Sequence, residues 1–246
     1  MTKLSVNLNK FALLRNSRGT DYPNLLKMAQ RTIAAGVHGL TVHPRPDQRH
    51  VKYSDVYDLS KLLGKYPDLE FNIEGNPVEK FLSIVKELKP DQCTLVPDAP
   101  DQITSDHGWN LQKDRKRLIP IIRDLQKEGV RVSLFMDTET DQIDIAKEIG
   151  ADRIELHTEP YARAFGTASE KEVYDRFYHS ATHAKAIGLG MNAGHDLNLQ
   201  NLGLFLTIPG ILEVSIGHAI VVESFDFSYE GTLQRYMEII SKTLNG

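Results

Sequence analysis

Residues 4–19 read LSVNLNKFALLRNSRG, and what this stretch lacks decides between two architectures. LSVNLN alternates apolar and polar side chains with the period of a strand. An open, doubly wound parallel sheet usually follows its first strand with a glycine-rich phosphate turn, and none follows here. The chain runs instead through Asn9 and Lys10 into a basic segment carrying Arg15 and Arg18.

Working outward, seven more β-rich runs recur along the chain: GLTVH (39–43), LEFNI (69–73), QCTLVP (92–97), VRVSLFMD (130–137), RIELHT (153–158), GLGMNAG (188–194) and LEVSIGH (212–218). Between them lie stretches with helical spacing of apolar residues, such as PNLLKMAQRTIAAG, NPVEKFLSIVKELKP, RLIPIIRDLQKEG, DQIDIAKEIG and EVYDRFYHSATHAKAIG. Several stop at Gly or Pro just before the next strand. The stretch from Gly231 supplies the last helix. Eight such units in 246 residues predict an α/β fold of one domain spanning 1–246, a (β/α)8 barrel with right-handed crossovers. No composition shift or low-complexity tract marks a second domain. The longest unassigned connections, near 98–113 and 158–170, both follow strands and are candidate site loops.

Composition narrows the function. With 41% hydrophobic and 25% charged residues and a net charge of -4, the chain has no general attraction for nucleic acid or an anionic membrane surface. Any phosphate must be held by local geometry. No run approaches the roughly 20 apolar residues of a membrane span, and the start MTKLSVNLNK lacks the apolar core of a signal peptide. The single cysteine, Cys93, lies in an apolar run and reads as a packed core thiol. A reducing cytoplasm is the expected home.

In such a barrel, chemistry is expected at the C-terminal ends of the strands. Those ends offer Asn7 and Asn9, His43 with Arg45, Glu70, Thr104, Glu155 with His157, Asn192 with His195, and Gly217 with His218. Histidine titrates nearest neutrality, which suits proton transfer. HPRPDQRH (43–50) adds Arg45 and His50 in a proline-stiffened loop, and the guanidinium fork of arginine matches phosphate oxygens. MNAGHD (191–196) and SIGHAI (215–220) end strands seven and eight, where loops and a helix start form the recurrent barrel phosphate site. Asn9, Lys10, Arg15 and Arg18 either wrap a cationic loop over a phosphate or form a plain basic surface. In LEFNIEG the alternation leaves two carboxylates open, Glu70 and Glu74, against an ordinary ion pair facing a helix. No HxH, HExxH or paired-cysteine spacing predicts a metal, and no motif predicts a cofactor.

Taken together, VNLNKFALLRNSRG, GLTVHPRPDQRH, LEFNIEGNP, TLVPDAPDQITSDHGW, VSLFMD, IELHTEPYA, NAGHD and SIGHAI make the chain resemble the pyridoxine 5′-phosphate synthase family from first strand to last. The resemblance implies a transferase of vitamin B6 biosynthesis, usually octameric. It condenses 1-deoxy-D-xylulose 5-phosphate with 3-amino-2-oxopropyl phosphate and releases phosphate and water. It also implies that His43, Glu70 and His195 carry protons, so it favours Glu70 over Glu74. It implies aminoketone-phosphate contacts at Asn7, Arg18, Asp196, Gly217 and His218, and deoxyxylulose-phosphate contacts at Arg45, His50 and Thr104.

Two departures stand out: Asn9-Lys10 replaces the Asp-His of many family members, and Asp196 replaces a glycine. Small phosphorylated substrates and a homo-oligomer are therefore the expected partners. A phosphosugar isomerase or aldolase on the same barrel, or a non-catalytic phosphate-binding barrel, are the rival readings. A Schiff-base aldolase needs a lysine inside the rim, for which Lys10 is the approximate candidate.

Overall fold

In the computed structural model, which describes residues 1–99, 102 and 105–242, alternation along each strand has a direct consequence. The strands are β1 (Lys3–Asn7), β2 (Gly39–Val42), β3 (Glu70–Gly75), β4 (Gln92–Leu95), β5 (Arg131–Met136), β6 (Arg153–His157), β7 (Gly190–Gly194) and β8 (Ile211–Ile216). One set of alternate residues, including Leu4, Val6, Leu40, Val42, Phe71, Ile73, Cys93 and Leu95, joins the buried apolar cluster shared with the helices. The other set is polar: Ser5, Thr41, Asn72, Glu74, Gln92, Thr94, Ser133, Glu155, Asn192, Glu213 and Ser215 are all buried.

The second set fills the interior of the barrel. Among the described residues, eight parallel strands close in sequence order, with β1 paired to β8. Asn192 on β7 donates to Gln92 on β4 at 3.1 Å, and these strands are not neighbours, so the bond crosses the lumen. Ser5 and Thr41 hydroxyls meet at 2.7 Å, and Thr94 donates to Asn72 at 3.1 Å. Barrels of this type usually fill the same layers with branched apolar side chains. Here the hydrophobic stabilisation lies between sheet and helices, and the lumen is held by hydrogen bonds, which buried polar groups require.

The outer layer comprises α1 (Asn9–Ser17), α2 (Leu25–Ala34), α3 (Tyr53–Leu63), α4 (Glu79–Leu88), α5 (Leu111–Lys127), α6 (Thr140–Glu148), α7 (Glu159–Ala164), α8 (Glu170–Ala186), α9 (Leu202–Phe205), α10 (His218–Phe227) and α11 (Tyr229–Lys242). The periodic stretches quoted above fall on α2, α4, α5, α6 and α8. Segments expected as loops also coil: α1 starts where the first strand was expected to end, and α7 occupies part of 158–170. Gly75 marks the close approach of β3 and α4, since a Cβ there would lie 2.4 Å from the Phe81 ring. Among the described residues, no helix is long and apolar enough to cross a membrane.

Candidate active site

One end of the barrel opens into a cavity of about 370 Å³ lined by Asn7, Asn9, Lys10, His43, Arg45, His50, His195, Asp196, Gly217 and His218, among others. These ten expected site residues reach it from the ends of β1, β2, β7 and β8. The strand ends are tied together locally. Asn9 N–H donates to Asn7 Oδ1 at 3.0 Å, and Asn9 Oδ1 accepts from His43 N–H at 2.9 Å. The Asn9 of the unusual Asn9-Lys10 pair therefore locks the end of β1 to the end of β2, while Lys10 brings a cation to the first turn of α1.

Burial keeps the imidazoles neutral. It drives His43 well below the usual histidine range, with Arg45, His50 and His195 adding repulsion. His195 is pushed down to about 3 by burial, then by His157, Arg45 and Lys10. His50 falls to about 4 through burial and the positive charges of Arg45, Arg49 and Lys10. A neutral ring keeps one nitrogen lone pair free to act as an acceptor, as base chemistry needs. His195 packs against Phe135 with ring centroids 4.9 Å apart and against His157 at 5.7 Å. His157 lies behind it, its Nδ1 at 3.2 Å from Asp137 Oδ1.

The backbone after β7 is unusual. His195 and Asp196 both have left-handed conformations, with φ of 77° and 57°. Side-chain-bearing residues adopt this region at a cost of about 1–2 kcal/mol each. Thr158 Oγ1 donates to the carbonyls of Gly194 and His195, and Asn201 donates to that of Asp196 at 3.1 Å, which hold the turn. A glycine at 196, which the family resemblance implies, would adopt this φ without strain.

At the end of β8, Gly217 caps α10 without a side-chain cap hydrogen bond, and Gly217, His218 and Ala219 at the start of the helix line the cavity. A Cβ at Gly217 would come within 2.9 Å of both Asn7 Cβ and Asn7 O. Free N–H groups and the helix dipole suit an anion. Arg45 is buried and already engaged, with Asp98 Oδ2 at 2.5 Å and the Gln102 carbonyl at 2.8 Å. Ser105 also donates to Asp98 at 2.7 Å.

Three expected residues are not brought to this cavity. Thr104 lies outside the described residues. Arg18 is exposed at the C-cap of α1, carried away from the rim by the helix that separates it from Lys10. Glu70 requires a correction. It opens β3 at the opposite end of the barrel, where one oxygen pairs with Lys3 and the other with Arg131 at 2.5 Å. These two hydrogen bonds outweigh burial and hold its carboxyl below the usual range. The β3 carboxylate that lines the cavity is Glu74.

Glu155 lines it too, and its Oε2 is buried without a hydrogen bond. A Cβ on Gly194 would lie 2.6 Å from Glu155 Oε1, so the bare glycine makes room for this carboxyl. The sequence places Glu155 with His157 at a strand end but gives it no role. Among the described residues, no group of three or more His, Cys, Asp or Glu side chains is arranged to hold a metal ion.

Comparison with known proteins shows the family. Residues 4–242 match the family described as pyridoxal phosphate biosynthesis protein PdxJ. A pyridoxine 5′-phosphate synthase of Albidiferax ferrireducens is 48% identical over 247 aligned positions, covering 98% of each chain. One from Cytophaga hutchinsonii is 47% identical, covering 98% of this chain and 100% of its own. One from Porphyromonas gingivalis is 46% identical, covering 97% and 98%. Among solved structures, the BexX/CysO complex of Amycolatopsis orientalis contains a chain that superposes with a TM-score of 0.65 at 15% identity, covering 100% of this chain and 92% of that one. A mutant tryptophan synthase alpha-subunit from Pyrococcus furiosus gives 0.63 at 13%, covering 98% and 100%. The last two likenesses concern the barrel alone.

Proposed function

The chain belongs to the family of pyridoxal phosphate biosynthesis protein PdxJ, and on that footing we propose that it is a ring-forming pyridoxine 5′-phosphate synthase working as one barrel domain. It condenses 3-amino-2-oxopropyl phosphate with 1-deoxy-D-xylulose 5-phosphate, releasing inorganic phosphate and water. One observation carries the reading: a single cavity combines two buried neutral imidazoles, His43 and His195, with an uncapped helix start and two cations.

The amine attacks the deoxyxylulose carbonyl, water leaves, and the resulting imine is enolised, loses phosphate and closes to the ring. Every step moves a proton, and a positioned acid or base contributes about 10²–10⁴ in rate. His43 serves the ring-forming side and His195 the aminoketone side. Asn7, the backbone at Asp196, and the α10 start at Gly217 and His218 seat the aminoketone phosphate. Arg45 and His50 face the other substrate, with Lys10 and Asn9 completing the rim. Two phosphates held this way keep the reacting carbons in register through several intermediates. The reading includes a cytoplasmic home, where the buried thiol of Cys93 stays reduced, and a homo-oligomer, octameric as the family resemblance implies.

The test is direct. Purified protein supplied with both substrates forms pyridoxine 5′-phosphate and inorganic phosphate in equal amounts, and neither substrate alone is consumed. Turnover of one substrate alone, or no product from the pair, would overturn the assignment.

A further inference from the structure

We propose that Asp137 and His157 are positioning residues for His195: Asp137 fixes the ring of His157, and that ring fixes the plane in which His195 meets the substrate. The inference rests on the synthase reading above and deepens it. Three observations carry it.

The placing of the rings comes first. Residues 153, 155 and 157 share the lumen face of β6, and His157 ends that strand opposite Gly194, the residue before His195. His157 and Phe135, on the neighbouring strand β5, are both buried. Phe135 lies 5.3 Å from His157 and 4.9 Å from His195 between ring centroids, and the two imidazoles meet at 5.7 Å and 88°. His195 sits on a left-handed turn beyond its strand, so the sheet ladder does not orient its side chain. The two rings do.

The anchor behind His157 comes second. Its Nδ1 lies 3.2 Å from Asp137 Oδ1, and Asp137 Oδ2 accepts from Gly108 N–H at 2.8 Å. Burial would raise the Asp137 carboxyl, but the hydrogen bonds from His157 and Gly108 hold it below the usual range. An ionised carboxylate only accepts, so the proton of the neutral His157 ring sits on Nδ1. A Cβ on Gly108 would lie 2.3 Å from Asp137 N, so the bare glycine lets the two backbones come close enough for this bond.

The nitrogen left over comes third. His157 Nε2 is buried and makes no hydrogen bond among the described residues. Glu159, which lines the cavity, brings its Oε2 only to 3.8 Å, beyond hydrogen-bond reach. A phenylalanine would fill this space without leaving a buried nitrogen unpaired, so packing alone does not call for histidine. What the imidazole adds is the bond to Asp137, which sets the angle of the ring. Neither residue lines the cavity, so both act through His195. A base turned away from its target loses rate while the phosphate seats keep their affinity.

The experiment compares Asp137→Asn, His157→Phe and the double variant in the full-length protein. Asp144→Asn is the control, because it breaks another Asp–His pair, with His183 at 2.6 Å, between α6 and α8 and outside the cavity lining. In Asp137→Asn the amide oxygen accepts from Gly108 only by turning its NH2 group toward His157, which moves the ring proton to Nε2. Each single variant is expected to lower kcat about 10- to 100-fold while KM for both substrates stays within about threefold. The double variant loses little more than either single one, as residues acting as a unit do. The control keeps kcat within about twofold. Near-normal kcat in either single variant, a rise in KM with kcat kept, additive losses, or an equal loss in the control overturns the proposal.

A second measurement needs no turnover. Nitrogen-15 NMR of histidine-labelled protein without substrate, above neutral pH, should show His157 protonated at Nδ1 and bare at Nε2. The His195 ring signals should shift in Asp137→Asn. A proton on Nε2 of His157 in the wild type, or His195 signals unmoved by the variant, overturns the proposal even where activity is absent. Wild-type protein that forms no product overturns the synthase reading instead, and the ring signals then still decide Asp137 and His157.

Discussion

At the floor of the barrel Glu70 has both oxygens taken by cations, whereas four residues on, at the rim, Glu74 has one long hydrogen bond and no cation of its own. Both sit on the same strand and the same face. The floor continues as a network in which Arg131 also donates to Gln92 at 2.9 Å and Arg153 to Asn192 at 3.0 Å. The rim gathers Glu74, Glu155, His43 and His195, each shifted toward its uncharged form. The contrast teaches that one polar lumen supplies two things: charges made unreactive by pairing, and charges made reactive by isolation.

The strongest way to damage the rim is steric. Gly217→Ala places a methyl against Asn7 and must push the start of α10 away from β1. Overpacking of this kind costs about 1–3 kcal/mol, and KM for the aminoketone phosphate should rise at least tenfold. Substrate titrations check this; an unchanged KM would remove the α10 start from that seat.

The floor is broken by Glu70→Gln, which leaves Lys3 and Arg131 without their counter-charge. The site is half-buried, so a stability loss of about 2 kcal/mol is expected, between the values for exposed and buried pairs. Urea denaturation measures it. A loss confined to activity would collapse the distinction between the two ends.

The lumen carboxyls also respond in two directions to pH, and the raised set includes Glu213 at the floor, near Arg153, as well as the rim pair. Glu74, Glu155 and Glu213 have raised folded-state values, the latter two about 8 and about 7, so the folded chain binds more protons than the unfolded one above pH 4.5. Stability from these groups is therefore lost as pH rises toward 8. Glu70 is lowered, so its contribution is present above pH 4.5 and lost as pH falls. The buried histidines, His195 about 3 and His50 about 4, add to the acid loss, because the unfolded chain takes up protons from pH 6.5 downward and the folded one does not. Unfolding free energies across pH 3–9 should show a decline above pH 6.5 that flattens in Glu74→Gln. An identical alkaline limb in that variant would show that Glu74 is not raised in the folded protein.

The smallest expected effect is at Asp196. Asp196→Gly relieves a left-handed residue and removes a carboxylate from the cavity edge, so KM for the aminoketone phosphate should fall about two- to threefold with kcat unchanged. A rise in KM would show that the carboxylate itself contributes to binding.

Strand number and order were legible because each run carries a period of two and the intervening helices are long enough to cross over. Depth was not. Alternation assigns Glu70 and Glu74 to one face with equal force, and only the stagger of the closed barrel determines which reaches the rim. Arg18 misled for a related reason: NKFALLRNS coils into α1, and eight residues of helix at 1.5 Å each move Arg18 roughly 12 Å along the axis from Lys10. The left-handed turn at His195 and Asp196 leaves no mark in composition, since neither residue is glycine. Asn7, Asn9, His43 and Arg45 could be placed at the cavity because they lie within three residues of strand ends, where the chain has little freedom to carry them elsewhere.

The uncapped start of α10 has a further consequence. Its donors are peptide groups, which have no titration of their own near neutrality. Across the pH range in which imidazoles and carboxyls exchange charge, this anchor keeps constant strength. A ligand seated there stays in place while the proton inventory around it changes, so holding and reacting can be tuned independently in this barrel.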